Sequence, residues 1–203
     1  MVKRFLGQVI FLRHGQTEYT DVFPDLTNEG IRTIIKSADL IKTFLNSNSN
    51  VVIITSPMAR AQGSAAIIAK IIGHQGKIRK ESAIEGAISK DKKLGQALKN
   101  EYISKGGVKA LDMAYGTDPR YEENPNIIEP RSKVRKRFFE YFAKLVEGSL
   151  KRQPLRFICV SHYETLYHFV EHMFKLDYTK DETLGHGEVI AISIFDTGIE
   201  NIN

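Results

Sequence analysis

Short apolar runs alternate along the chain with longer segments whose apolar residues recur every three or four positions. Val9 to Leu12 is an unbroken apolar run, the pattern of a strand buried on both faces. Thr27-Asn28-Glu29-Gly30 then opens a helix, with Thr27 or Asn28 as its cap, and Ile31, Ile34, Ile35, Ala38, Ile41 and Leu45 form its apolar stripe. Asn46 to Asn50 reads as a polar turn. Val51 to Thr55 is β-branched throughout and predicts a second buried strand. Ser56-Pro57 starts a helix that carries Ile67, Ile68, Ile71 and Ile72 and stops near Gly73. Lys77 to Ser82 is expected to be a third strand.

From about Gly86 to Glu129 the pattern loosens. Gly95, Gly106, Gly107, Gly116, Pro119 and Pro125 interrupt it, and only short helical pieces are expected between them. This stretch reads as an insertion over one end of the core. An amphipathic helix follows from Pro130 to about Gly148, with Val134, Phe138, Tyr141, Phe142 and Leu145 on one side. Phe157 to Ser161 predicts a strand, Thr165 to Phe174 a helix and Val189 to Phe195 a last strand. Strands alternating with long helices imply an α/β fold: a three-layer α/β/α arrangement, mostly parallel sheet with helices on both faces and a small helical cap. The whole chain, residues 1–203, reads as a single domain with the cap insertion at about 86–129.

Composition narrows the class. Hydrophobic residues make up 42% and charged residues 26%, enough apolar side chain for a core and too much for wholesale disorder. No apolar run approaches the roughly 20 residues of a membrane span. The N-terminal apolar run is broken by Gln8, Arg13 and His14, so no export signal is read, and no membrane association is expected. The single Cys159 cannot form an internal disulfide, which fits a cytoplasmic protein, and it reads as a buried core residue. With 29 Lys+Arg against 24 Asp+Glu, the net charge of +5 suits anionic small molecules and is too small to argue for nucleic acid. The basic cluster Arg131, Lys133, Arg135, Lys136 and Arg137 reads as the solvated face of its helix, because the aromatic residues there fall on the core side.

In parallel α/β sheets functional groups sit just beyond the carboxyl ends of the strands. Those positions hold Arg13-His14-Gly15, then Ser56 to Arg60, then Glu85, then Ser161-His162. Two guanidinium groups and two imidazoles in one crevice make an anion site, since the planar fork of arginine matches phosphate oxygens. A histidine can form a covalent phospho-enzyme, and a carboxylic acid can protonate the leaving alcohol. With arginines supplying the positive charge, no metal and no cofactor is required.

These segments resemble a known family. Leu12-Arg13-His14-Gly15-Gln16-Thr17-Glu18 resembles the signature of the histidine phosphatase superfamily, the phosphoglycerate mutase-like proteins. Ser56 to Ala65 is similar to the second motif, Ser161-His162 with Leu166 to the third, and Ala83-Ile84-Glu85 stands where the family's acid lies. The resemblance implies that His14 is the phosphorylated nucleophile. It implies that Arg13, Arg60 and His162 bind the phosphoryl oxygens and that Glu85 is the proton donor, with Glu81 as the fallback. Thr17, Thr20 and Tyr163 are further candidate substrate contacts. The family often has asparagine at the position of Thr20 and commonly glycine at that of Tyr163. The implied function is metal-independent phosphatase action on a small phosphorylated substrate through a phosphohistidine. A phosphoglycerate-type phosphomutase and a non-catalytic phosphate-binding member of the fold are the alternatives. Lys90, Lys92, Lys93, Lys99, Lys105 and Lys109 in the cap hint at an anionic or multiply phosphorylated substrate.

One other motif competes. His168, Glu171 and His172 fit the H-x-x-E-H pattern of inverted zinc peptidases, with the two histidines on one helical face. Such a site needs a third ligand; Glu182 or Glu188 could serve in principle, but the 31 residues after His172 read as a loop and a strand and leave little room for a helix-borne glutamate. A structural role for the two histidines is therefore expected.

Overall fold

A computed structural model describes residues 3–20, 22–45, 50–151, 154–174 and 184–201. Its elements run β1 (Phe5–Arg13), α1 (Asn28–Thr43), β2 (Asn50–Thr55), α2 (Ala59–Ile72), β3 (Arg79–Lys80), a 3-10 turn (Ser82–Ile84), α3 (Lys92–Thr117), α4 (Arg120–Glu123), α5 (Arg131–Lys151), β4 (Leu155–Ser161), α6 (Tyr163–Phe174), β5 (Val189–Phe195) and β6 (Gly198–Asn201). The polar turn expected at Asn46 to Asn50 lies, but for Asn50, outside the described residues.

The strands form one sheet in the order β3-β2-β4-β1-β5-β6. β3, β2, β4 and β1 are mutually parallel, whereas β5 runs antiparallel to β1 and forms a hairpin with β6. Because side chains alternate across a strand, β1 divides its apolar run between two cores. Val9 and Phe11 join one cluster, packed with Phe138, Phe142 and Phe169 from α5 and α6. Ile10 and Leu12 join the other, with Ile34 and Ile41 of α1 and Ala65 and Ile68 of α2. Phe11 is the hub of the first, its ring 5.4 Å from that of Phe138 and 5.2 Å from that of Phe169. Truncating such a ring to alanine costs about 3–5 kcal/mol.

Helix ends follow their sequence signals. Thr27 is the N-cap of α1, its hydroxyl accepting from the Gly30 N–H at 2.9 Å. Gly73 ends α2 in the left-handed region at φ 72°. Three expectations need correction. The third strand is confined to Arg79 and Lys80, because the Glu81 carboxylate accepts from the Ala83 N–H and turns the chain into the 3-10 turn. The segment after residue 86 does hold separate helical pieces, but they are more regular than expected: α3 is two helices that meet at a break at Gly106–Gly107, where Gly107 takes φ 67° and ψ −158°, and only α4 is short. The closing hairpin strand β6 carries no apolar alternation strong enough to have been read.

Candidate functional site

The order β2-β4-β1 places the carboxyl ends of three parallel strands side by side. The ladder continues one residue past each end. The His14 N–H donates to the Ser161 carbonyl at 3.0 Å and the Ser56 N–H to the Val160 carbonyl at 3.0 Å. This register brings together residues far apart in sequence. The rings of His14 and His162 lie 4.9 Å apart, and His162 Nε2 shares a 2.7 Å hydrogen bond with the Ser56 hydroxyl. Both imidazoles are almost fully buried.

The nucleophile candidate is oriented by the backbone. His14 Nδ1 donates to the Gly15 carbonyl at 2.7 Å, which leaves the lone pair on Nε2. The Nε–H of Arg60, in the first turn of α2, reaches that Nε2 at 3.2 Å. Ser64, one turn further along α2, accepts from the Gly15 N–H at 3.0 Å. Gly15 also passes against Gly30 of α1 so closely that a Cβ on Gly15 would stand 2.7 Å from the Gly30 carbonyl oxygen. The loop and both helix starts are thereby locked to one another. Burial holds the His14 pKa well below its ordinary value, and His162, Arg60 and Arg13 push it further down. Burial, then Arg60, Lys99 and Arg13, lower His162 in the same way. Both rings are neutral at neutral pH, as a nitrogen nucleophile must be.

Arg13 is buried and held on one side. Its Nη1 donates to Asp112 Oδ2 at 2.6 Å and to the Leu184 carbonyl at 2.7 Å, and its Nη2 donates to Asp112 Oδ1 at 3.1 Å. Tyr163 lies beneath it, with the guanidinium carbon 5.2 Å from the ring centre, so this tyrosine packs against Arg13, Tyr115 and Tyr167 at 3% exposure. Burial pushes the Asp112 carboxyl up to about 6, against the pull of Arg13.

Glu85 follows the 3-10 turn and lines a cleft of about 450 Å³ with Arg60, Lys92, Gln96, Lys99 and Glu164. Burial raises its carboxyl pKa, which Arg137 lowers, Glu129 raises and Arg60 lowers. The fallback, Glu81, spends its carboxylate capping the 3-10 turn. Arg137 fixes the loop that carries Glu85. It donates to the carbonyls of Ala83, Glu85 and Gly86 at 2.6–2.8 Å and pairs with Glu129, while the Thr165 hydroxyl donates to the same Glu85 carbonyl at 2.6 Å. The basic cluster is thus not uniformly solvated. Lys133, Arg135 and Lys136 are exposed, but Arg137 turns inward, and Arg131 donates to the carbonyls of Tyr115 and Gly116.

The remaining candidates sit around this set. Thr17 is buried, its hydroxyl oxygen accepting from the Tyr19 N–H. Thr20 is exposed and donates to Asp25 through both its N–H and its hydroxyl at 2.8 Å. Sequence reasoning missed four neighbours. The His186 ring lies 5.5 Å from that of His14, and burial with Arg13 and Arg60 lowers its pKa to about 3. Asp112 grips Arg13, Glu164 lines the cleft, and the Tyr19 ring lies 5.6 Å from the Arg60 guanidinium. None stands at a predicted strand end, so only the chain's path brings them in. Adjacency to a motif was the one available signal, and it applied to Tyr19 after the first motif and to Glu164 in the third.

The zinc-like motif is divided between two neighbours. His168 Nε2 lies 3.1 Å from the Tyr115 hydroxyl, whereas the His172 ring packs edge-on to Phe139. Glu182 lies outside the described residues, and Glu188 accepts from the Gly185 N–H at 2.7 Å. No group of three potential ligands forms among the described residues. No helix among them is long and apolar enough to cross a membrane.

A buried pair of histidines flanked by two arginines stands at the carboxyl edge of a sheet covered by helices on both faces, a set of donors and charges suited to an anion. The model of the histidine phosphatase superfamily (branch 1) matches residues 9–201, and the chain belongs to that family. Solved structures share the fold. The mycobacterial glucosyl-3-phosphoglycerate phosphatase aligns over 95% of this chain and 91% of its own at a TM-score of 0.63 and 18% identity. The phosphoserine phosphatase mutant from Entamoeba histolytica, in complex with phosphoserine, aligns over 97% and 95% at 0.58 and 18%. The phosphoglycerate mutase of Bacillus anthracis aligns over 96% and 90% at 0.64 and 15%. No curated protein matches the chain in sequence.

Proposed function

We propose that the chain is a metal-independent phosphomonoesterase that works through a phosphohistidine at His14. The observation that carries this reading is the state of the His14 ring: neutral, its Nδ1–H tied to the Gly15 carbonyl, its Nε2 lone pair facing Arg60 with His162 beside it. The phosphoryl group displaces the Arg60 contact and is held by Arg13, Arg60 and His162, whose donors offset its growing charge. His14 Nε2 attacks phosphorus as the ester P–O bond breaks, and Glu85, whose protonated form is favoured by burial, gives its proton to the departing oxygen. Glu85, now a carboxylate, takes a proton from water. That water attacks phosphorus, the P–N bond breaks, and phosphate leaves with the His14 lone pair restored.

Residues 86–129 act as the substrate cap. Lys92, Gln96 and Lys99, spaced for one face of α3, line the cleft next to Arg60, and with them three cations oppose Glu85 and Glu164. This charge balance favours a phosphomonoester that carries a second anionic group. Hydrolysis of p-nitrophenyl phosphate by the purified chain in excess EDTA tests the reading. A ³²P label from substrate should appear on His14, stable to alkali and labile to acid, and then as free phosphate. Label passed to a second hydroxyl of the substrate would favour a mutase, and phosphate binding without turnover a binding protein.

A further inference from the structure

We propose that Asp112 is a positioning residue for Arg13: it holds one edge of the guanidinium and leaves the Nε–Nη2 edge as the face that grips the phosphoryl group. This inference rests on the reading that Arg13 binds phosphate. A guanidinium has five N–H donors in a rigid plane. Asp112 and the Leu184 carbonyl take three of them, two on Nη1 and one on Nη2. The remaining two are the Nε–H and the second Nη2–H, which point the same way and form a fork that fits two phosphoryl oxygens. Nε is buried and has no hydrogen-bond partner among the described residues. A buried donor left open in this way normally costs stability, and a ligand that fills it recovers that cost on binding.

The clamp also accounts for how a buried guanidinium is tolerated. Arg13 is 4% exposed and Asp112 is 6% exposed, so each compensates the charge of the other. Tyr163 underneath and the Leu184 carbonyl at the side stop the group from rotating out of plane. Asp112 belongs to α3 beyond the break at Gly106–Gly107, so the inserted segment itself holds the first motif in place. A lysine at position 13 could not replace the geometry, because an ammonium has no second edge.

The test uses the full chain as parent and as Asp112→Asn, Asp112→Glu, Arg13→Ala and the Arg13→Ala/Asp112→Asn double variant. Binding of inorganic phosphate by calorimetry, the separate kcat and KM for p-nitrophenyl phosphate, and the melting temperature are measured for each. Asp112→Asn should weaken phosphate binding by about tenfold or more and raise KM with it. Asp112→Glu should recover part of the loss. Within the Arg13→Ala background the Asn substitution should change phosphate binding little, since nothing remains to be positioned. A folded Asp112→Asn variant that binds phosphate as tightly as the parent overturns the proposal. Tighter binding would make Asp112 a competitor of phosphate rather than its organiser, and an equal loss in the Arg13→Ala background would place its effect elsewhere. A parent chain that neither binds phosphate nor turns over the ester defeats the functional reading and this inference together. An active parent with indifferent Asp112 variants defeats this inference alone.

Discussion

The Arg60 Nε–H donates to His14 Nε2 at 3.2 Å, so the atom proposed to attack phosphorus is held by the residue proposed to bind the phosphoryl oxygens. In the proposed mechanism this contact orients the imidazole until an anion draws the arginine away. Arg60→Ala removes both the restraint and a charge-assisted donor, and kcat/KM for p-nitrophenyl phosphate should fall by roughly 100-fold or more. His14→Ala should abolish turnover and the labelled intermediate while retaining phosphate binding. A His14→Ala variant that still turns over the ester removes the nucleophile assignment.

The acid is tested by the leaving group. Because burial raises the Glu85 pKa, its protonated fraction survives into mildly acidic solution and is lost as pH rises through that value. The His14 pKa is lowered, so the nucleophile stays neutral over the same range. Activity on an alkyl phosphate should therefore peak at mildly acidic pH and decline on the alkaline side. Glu85→Gln should slow alkyl phosphates by about 100-fold or more and p-nitrophenyl phosphate much less, since nitrophenolate leaves without a proton. The opposite result, an indifferent Glu85→Gln and a crippled Glu81→Gln, would move the acid to Glu81.

Specificity should follow α3. Lys99 is close enough to His162 to lower its pKa, and Lys92 lines the same cleft. Lys99→Met with Lys92→Met should raise KM about tenfold for 3-phosphoglycerate, which carries a carboxylate beside its phosphate, and leave p-nitrophenyl phosphate nearly unchanged. A uniform loss on both substrates would place the lysines outside substrate recognition.

Stability should fall in acid. His14, His162, His168 and His186 all have pKa values lowered chiefly by burial, to about 4 for His168 and about 3 for His186. The unfolded chain takes up protons below the ordinary histidine value of 6.5, and the folded chain does so only at lower pH. Each group thus withdraws stability as pH falls below 6.5. Asp112, raised to about 6, acts in the opposite sense, because its protonation below that pH favours the folded chain. Glu85, also raised by burial, acts in the same sense as Asp112, and two carboxyls do not balance four imidazoles. The melting temperature should be lower at pH 5 than at pH 7.5, and an equal or higher value would contradict the burial of neutral histidines.

Local pattern determined much of this molecule. β-branched and apolar runs wrote β1, β2 and β4, the Thr27 cap and Gly73 bounded their helices, and the motif residues Arg13, His14, Arg60 and His162 fell at the strand ends, where a parallel sheet displays its chemistry. These features are readable because each depends on neighbours within a few residues and on an alternation of period 2 or 3.6. Tertiary structure alone decided which way β5 runs, that β4 inserts between β1 and β2, that Asp112 and His186 flank the first motif, and that Arg137 turns inward to hold the Glu85 loop. Asp112 lies 99 positions from Arg13, and no periodicity reports a pairing across such a distance. It is settled by where the second helix of α3 docks, a balance of packing and buried charge summed over the whole chain.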